Sequence, residues 1–247
     1  MKLLKVFPLL YLISFILSVH SCNGVAGSNE VAEKKLVKIV RDDTLYTDII
    51  SENLNFEYDS NNKIKRIIVD SSIDYIYDYI WYEDSIIEFE NQKINQTYVI
   101  SNGKINEIRE INYRGEISEI IYLYYDEFGN LKSIIYDDNT KIATFKWNNN
   151  KLINYEMRDY SFCYEYTGEE GSCSHYLFND GLRISYLQIV HPELFGLKID
   201  FIPKKSIYYN KNGKQSCVDL VFTKDNDGNI INYKSCKSGI SFQYVWE

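Results

Sequence analysis

The chain has 247 residues with 27 basic and 35 acidic side chains, a formal net charge of −8, and 23 tyrosines. An acidic protein has no electrostatic attraction to nucleic-acid phosphates or to anionic lipid head groups, so its surface is not expected to bind either. The length suits one β-rich domain with a substantial core, and no change of composition divides the chain in two.

The N-terminus has the pattern of a secretory signal. Lys2 and Lys5 precede an apolar run, Val6–Leu17, which is too short for a permanent membrane helix of about 20 residues. The segment Val19-His20-Ser21-Cys22 resembles the lipobox of bacterial lipoproteins, in which signal peptidase cuts before a cysteine that carries lipid. We therefore expect a lipid anchor at Cys22. The alternative is an ordinary signal with an incidental cysteine.

The division of the chain follows from that cleavage site. Residues 1–21 are the expected signal peptide, and its removal takes away two lysines and makes the mature protein more acidic. Residues 22–35 are mostly small and polar without apolar periodicity, which is typical of a flexible tether. Residues 36–247 are predicted to form a single antiparallel β-domain.

Turn signals recur through that domain at short intervals, among them Asn102-Gly103, Asn212-Gly213 and Asp227-Gly228. The segments between them are rich in Ile, Tyr, Val, Phe and Thr, and the whole chain has only three prolines. The phrases "EYDSNNKIKRI" (57–67) and "YYDEFGNLKSI" (124–134) are near copies, each with a turn at its centre. The pattern predicts an all-β fold, an antiparallel meander of about a dozen or more short strands.

The meander is expected to form a curved sheet or a half-open barrel that does not span a membrane. Alternation is clean in "KLINYEM", but "INEIREI" places Glu107 and Arg109 on one side with Ile105, so neither side of that strand is purely apolar. A lipid-facing strand would put these charges at hydrocarbon depth.

Residues 185–207 interrupt the regular spacing with Pro192 and Pro203 in an apolar stretch without a clear period. Such a long connection either forms a lid or plug over one end of the sheet or covers an exposed sheet edge. We favour the edge-covering interpretation.

Four cysteines remain in the mature domain, and export permits disulfides. Cys163 and Cys173 flank the turn signal "TGEEG" with their midpoint at Gly168, and Cys217 and Cys236 are equidistant from "DNDG". Residues equidistant from a turn face each other across an antiparallel pair, so we predict Cys163–Cys173 and Cys217–Cys236. The alternative is four free thiols, because a bulge in either turn changes the register.

Catalytic and metal-binding patterns are scarce. His175 and His191 lie in no known catalytic frame, and both are interpreted as structural. "DNDGN" (225–229) begins like a calcium loop, but Ile230 and Cys236 stand where that loop needs glycine and glutamate, so a hairpin turn is expected. No catalytic, metal-binding or cofactor-binding residue is assigned, and no cofactor is expected.

Aromatic residues carry the strongest functional signal. Tyr75, Tyr77, Tyr79 and Trp81 alternate along one predicted strand and would share one face. On a concave surface this stripe could stack on sugar rings or hold an apolar ligand. The alternative is a cross-strand aromatic ladder that stabilises the sheet.

The chain as a whole resembles a family of gut Bacteroidetes lipoproteins, the domain of unknown function 4595 family, described as having a porin-like β-fold. The resemblance covers about 36–247 and is carried by "KKLVKIV", "FEYDSNNKIKRI", "YYDEFGNLKSI", "ELFGLKIDFIPKKSIYY" and "ISFQYVWE" in that order. The Tyr-Asp phrases are also similar to the YD repeats of large secreted toxins. The resemblance implies a fold and a location, with no catalytic residues.

These observations favour a non-enzymatic binding or scaffolding module of the cell envelope, anchored by lipid to the outer membrane through Cys22. Its expected partners are a glycan, an apolar ligand or another envelope protein. The periplasmic face is favoured slightly over the surface, because the first acidic residue after Cys22 is Glu30. The alternative is an enzyme that acts on envelope glycans or lipids through carboxylates on one sheet face.

Overall fold

A computed structural model describes residues 34–43, 53–70, 74–170, 184–213, 215–235 and 240–247. Residues 35–247 form one compact unit. The predicted signal peptide, most of the tether, Cys22, Cys173 and Cys236 lie outside the described residues, as does His175.

Sixteen strands and two short helices are present in the described residues. The helices are α1 (Leu187–Val190) and a 3-10 helix (Pro192–Phe195) between β12 and β13. The strands are β1 Leu36–Asp43, β2 Asn53–Tyr58, β3 Ile64–Asp70, β4 Tyr75–Trp81, β5 Ser85–Glu90, β6 Lys93–Ser101, β7 Lys104–Ile111, β8 Ile117–Tyr125, β9 Leu131–Tyr136, β10 Lys141–Asn148, β11 Lys151–Met157, β12 Tyr160–Glu170, β13 Phe201–Asn210, β14 Gln215–Lys224, β15 Ile230–Ser235 and β16 Ile240–Trp246.

The strands form a closed antiparallel barrel. Each strand pairs with the next along the chain, and β1 pairs with β16 from Leu36↔Trp246 to Asp43↔Ile240. The prediction of an all-β antiparallel meander is confirmed, and the sheet closes completely where the sequence left a half-open barrel as one option. Closure removes both sheet edges, so every strand has two hydrogen-bonded neighbours. No helix in the described part of the chain is long and apolar enough to cross a membrane.

The repeated Tyr-Asp phrase is a hairpin whose aspartate holds the turn. Asp59 Oδ1 accepts hydrogen bonds from the backbone N–H of Asn61 at 2.8 Å and of Lys63 at 2.9 Å. Asp126 and Asp225 make the same pair of bonds, to the second and fourth residues that follow each of them. The hairpin turn expected at 225–229 is therefore present, and its first carboxylate is occupied by backbone amides.

A bulge follows each of these turns, and a similar bulge after the Asn102-Gly103 turn explains the broken alternation in "INEIREI". The register between β6 and β7 shifts between Val99 and Ile100, so one extra residue, Asn106, lies on the β7 side. Ile105 and Ile108, three residues apart, are consequently both fully buried on the inner face. Glu107 and Arg109 form an ion pair with each other on the outer face.

Six aromatic side chains, which we call the rim aromatics, tie neighbouring strands together at one end of the barrel. They are Tyr58, Trp81, Tyr125, Trp147, Tyr166 and Trp246. Each donates a hydrogen bond to a backbone carbonyl near the start of the preceding strand, as in Trp81 Nε1 to Ile64 O and Trp147 Nε1 to Leu131 O, both at 2.7 Å. The chain passes from the first to the second strand of each of these pairs at the opposite end. The hydrogen bonds of the rim aromatics therefore hold each pair together at the end where the chain does not connect it.

The two faces of the barrel wall differ in chemistry. Inner-face side chains from nearly all strands form the hydrophobic core, with Ile67, Tyr98 and Leu152 fully buried. The outer face carries ion pairs in mid-strand, including Arg66–Asp78 at 2.6 Å and Lys146–Glu156 at 3.2 Å. Charged pairs at mid-strand are typical of a surface in water.

Candidate functional site

One end of the barrel is closed by the chain itself. Residues 184–200, which we call the stopper, are the described part of the connection between β12 and β13 and include α1 and the 3-10 helix. The buried stopper residues that join the barrel core are Leu187, Ile189, Phe195, Leu197 and Ile199. The expectation that 185–207 covers a sheet edge is wrong, because a closed barrel has no edge. The lid alternative describes residues 185–200, and the remainder belongs to β13.

Backbone contacts fix the stopper to the barrel wall at Gly196. The Leu131 N–H donates to Gly196 O at 2.9 Å, and Gly196 has a left-handed backbone with φ of 61°. A Cβ at this position would lie 2.7 Å from Gly129 O and 2.8 Å from both Leu131 N and Tyr125 Cε1. Lys104 Nζ adds a hydrogen bond to Glu193 O at 2.7 Å. Only glycine combines this backbone conformation with so close an approach.

The predicted aromatic stripe lies on the inner face of β4, where it meets the stopper. The Tyr77 and Tyr186 rings lie 5.0 Å apart, and Trp81 meets His191 edge-on at 5.1 Å. Tyr79 is 5% exposed. The stopper thus occupies the part of the stripe where a ligand was expected to stack, and Tyr75 is the member that remains half-buried without a ring contact to another described residue. A ligand on this stripe stays a prediction.

His191 makes one contact within the stopper and one with the wall at β3. Its Nδ1 lies 2.9 Å from Glu193 Oε1, and its Nε2 accepts a long hydrogen bond, 3.5 Å, from the Ile64 N–H. Burial acts to raise the pKa of Glu193, but hydrogen bonds from His191 and the backbone, with the nearby charges of His191 and Lys104, outweigh it and lower that pKa. The prediction that His191 is structural agrees with these contacts.

A buried carboxylate, Glu88, lies beneath the stopper and is 2% exposed. Its Oε1 accepts a hydrogen bond from Asn95 Nδ2, and its Oε2 lies 2.7 Å from the Tyr98 hydroxyl. That hydroxyl also lies 2.6 Å from Ser185 Oγ in the stopper and 2.7 Å from Gln96 Oε1. Burial raises the pKa of Glu88, and the hydrogen bonds from Tyr98 and Asn95 only partly offset that effect.

The donors and acceptors of this network favour one protonation state of Glu88. The Tyr98 hydroxyl has one proton but faces two oxygen acceptors, Glu88 Oε2 and Gln96 Oε1. With a neutral Glu88, the acid donates to Tyr98, Tyr98 donates to Gln96, and Ser185 donates to Tyr98, so each of these three contacts has one donor and one acceptor. The buried Tyr79 hydroxyl nearby has no hydrogen-bond partner among the described residues. The raised pKa of Glu88 and the hydrogen-bond geometry therefore favour the same neutral form. The contact between Tyr98 and Ser185 joins the wall to the stopper. Because the network is buried, it offers no exposed acid or base.

Sequence reasoning missed Glu88, which is one of 35 acidic residues. The available signal was its register. Glu88 lies directly opposite Tyr79, in the middle of the aromatic stripe, and follows the fully buried Ile86 by two residues. A carboxylate on an otherwise apolar strand face is rarely buried without partners, so it marks a hydrogen-bonded network.

The two described cysteines of the predicted disulfides lie on alternate strands. Cys163 and Cys217 both face Ile207, from opposite sides of β13, and Asn154 Nδ2 lies 3.2 Å from Cys163 Sγ. Two strand spacings separate them by about 9–10 Å, too far for a disulfide. Neither is bonded to another described cysteine. Since Cys173 and Cys236 lie outside the described residues, Cys163–Cys173 and Cys217–Cys236 remain predictions.

An open cavity of about 470 Å³ lies at the rim beside the stopper end. Three aromatic side chains from two strands line it, Tyr125, Phe145 and Trp147, together with Asp126, Glu127 and Lys132 from the β8–β9 hairpin. A second cavity of about 380 Å³ at the opposite end includes Glu90, Lys93 and Tyr113. Among the described residues no group of three or more His, Cys, Asp or Glu side chains is arranged to hold a metal ion.

Two solved structures share this fold. A porin-like protein from Bacteroides uniformis ATCC 8492 superposes with a TM-score of 0.63 at 13% identity, over 86% of this chain and 98% of that chain. A porin-like protein from Bacteroides vulgatus ATCC 8482 gives a TM-score of 0.58 at 14% identity, over 87% of this chain and 99% of that chain. No protein-family model and no curated protein matches the chain. At such low identities the likeness shows the fold alone, and the chain has a porin-like β-barrel fold.

Proposed function

We propose that the protein is a lipid-anchored, non-enzymatic binding module of the outer membrane, whose barrel stands in water at the membrane surface and conducts no solutes. The observation that carries this proposal is the stopper, which closes one end of the barrel through buried contacts with the inner face of β4 and the β8–β9 hairpin. A conducting pore of comparable strand number needs an open aqueous channel. The porin-like fold here serves as a scaffold.

The outer surface supports a barrel outside the bilayer. Arg66–Asp78, Glu107–Arg109 and Lys146–Glu156 place charges in mid-strand on different parts of the wall. Each charge would face hydrocarbon if the wall crossed a membrane, at a cost of about 2–4 kcal/mol for a basic residue at the midplane. Contact with the membrane then comes from the lipid at Cys22, with the periplasmic face favoured. The likeness to the domain of unknown function 4595 family supports the same location.

Two measurements, one on purified protein and one on cells, test the proposal. The purified protein is added to planar lipid bilayers, where we expect no stepwise conductance, and the fractionation of cells that express Cys22→Ala is compared with wild type. We expect the wild type in the membrane fraction and the variant in the soluble fraction. Reproducible channels would refute the scaffold, and membrane retention of an otherwise folded Cys22→Ala would refute the anchor.

A further inference from the structure

The rim aromatics differ in whether another group covers the face of the ring. Four of the six have a ring that is covered by a cation or by the stopper. Lys35 lies over Tyr58 at 5.6 Å, Lys63 over Trp81 at 5.1 Å and Lys151 over Tyr166 at 5.9 Å. The Tyr125 ring lies against Gly196 of the stopper, and its hydroxyl lies 3.4 Å from Leu194 O.

Trp147 and Trp246 both lack such a cover among the described residues, although the indole N–H of each is held by a backbone carbonyl. Of the two, Trp147 lines the cavity of about 470 Å³ beside the stopper. It is partly buried against the core, so its orientation is fixed. The volume lies within the roughly 300–1,000 Å³ of small-molecule sites. A fixed indole that lines an open cavity has the geometry of a stacking platform.

Charged groups at the same cavity have no ion-pair partner among the described residues. Glu127 and Lys132 are both exposed, and they supply an acceptor and a donor beside the aromatic floor. Asp126, in contrast, is occupied, because its Oδ1 accepts from two backbone amides and its Oδ2 from Asn130 Nδ2. One opposite-charge pair beside an aromatic face suits a neutral ligand with an apolar face and a hydroxylated edge.

We propose that this cavity is a saccharide-binding site in which a neutral pyranose ring stacks on Trp147, with hydroxyl groups that bond to Glu127 and Lys132. The inference rests on the proposed function, since it supplies the ligand class of that binding module. It places the site away from the aromatic stripe of β4, which the stopper covers. Phe145 and Tyr125 form the floor and contribute apolar contact.

The three tryptophans of the chain make the test specific. In a ¹⁵N-labelled sample their indole N–H groups give three resonances, which single Trp→Phe variants assign. Neutral disaccharides of glucose, galactose, mannose and N-acetylglucosamine are titrated in turn, and affinity in the millimolar range is expected for a ligand of this size. We expect at least one disaccharide to shift the Trp147 resonance and to leave those of Trp81 and Trp246 in place.

Matched variants separate ligand contact from folding. Glu127→Gln and Lys132→Ala change exposed side chains, so each should keep the wild-type melting temperature while it weakens binding severalfold. Trp147→Ala should weaken binding at least about tenfold, and Trp246→Ala, which removes an equivalent rim hydrogen bond, should leave binding unchanged. The site is refuted if no disaccharide shifts Trp147, if all three resonances move together, or if Glu127→Gln and Lys132→Ala bind like wild type. None of these outcomes affects the conductance and fractionation tests of the proposed function.

Discussion

Gly196→Ala is expected to loosen the stopper, and its cost follows from three distances. The new Cβ would meet Gly129 O at 2.7 Å and both Leu131 N and Tyr125 Cε1 at 2.8 Å, two of which are backbone atoms that have little room to move. Overpacking of this kind costs about 1–3 kcal/mol, and displacement of the Leu131 N–H···Gly196 O bond adds about 1 kcal/mol. The left-handed φ of 61° adds roughly 1–2 kcal/mol for any residue with a Cβ.

Gly103→Ala is the matched control for the backbone contribution. Gly103 has a φ of 72° in the β6–β7 turn at the same end of the barrel, and a Cβ there would have no atom within 4 Å. The difference between the two variants therefore isolates the contact between stopper and wall, and we expect Gly196→Ala to be less stable than Gly103→Ala by about 2–4 kcal/mol.

Urea unfolding and hydrogen exchange measure the two parts of this prediction. In a domain of this size the excess corresponds to a melting temperature roughly 4–16 °C below that of Gly103→Ala. The Leu131 amide should lose its exchange protection in Gly196→Ala alone. If the two variants agree within about 0.5 kcal/mol and Leu131 stays protected, the stopper does not pack against the β8–β9 hairpin as described.

Three further predictions concern the buried network, the rim and the cysteines. Burial raises the folded-state pKa of Glu88 above its unfolded value of about 4.5. The contribution of Glu88 to the free energy of unfolding is therefore most favourable below that value, and it is lost as the pH rises towards the folded pKa. Glu88→Gln should remove this loss, so the variant should gain stability over wild type between pH 4 and pH 8 in urea titrations. A constant difference across that range would contradict the assignment of a neutral buried acid. Trp81→Phe keeps the aromatic contact with the stopper but removes the hydrogen bond to Ile64 O, and should lower stability by about 1 kcal/mol and the melting temperature by about 2–4 °C; an unchanged melting curve would show that the rim bond contributes nothing. A non-reducing peptide map should contain no Cys163–Cys217 crosslink, and its presence would contradict the register through β13.

Short sequence patterns predicted much of the barrel wall. A turn depends on a few adjacent residues. The turn signals in the two Tyr-Asp phrases and at Asp227-Gly228 therefore predicted hairpins at 59–63, 126–130 and 225–229, and all three are present. The alternation of Tyr75, Tyr77, Tyr79 and Trp81 likewise placed these side chains on one face, because successive side chains in a strand point to opposite faces. The bulges were harder, since a single extra residue such as Asn106 changes the face of everything beyond it, and the unbulged pattern is what alternation assumes.

The sequence by itself determined which segments form strands and turns, that neighbouring strands are antiparallel, and that the aromatic stripe lies on one face of its strand. Each of these features depends on residues within one hairpin. Only the tertiary structure decided that the sheet closes, that residues 184–200 seal one end against the stripe, and that Glu88 is buried beneath them. Closure depends on the pairing of β1 with β16, some 200 residues apart in the chain, and the burial of Glu88 depends on Ser185, 97 residues away. Contacts between residues so far apart produce no pattern in a single sequence. For that reason the aromatic residues that suggested an open ligand face could not be recognised as the surface against which the stopper packs.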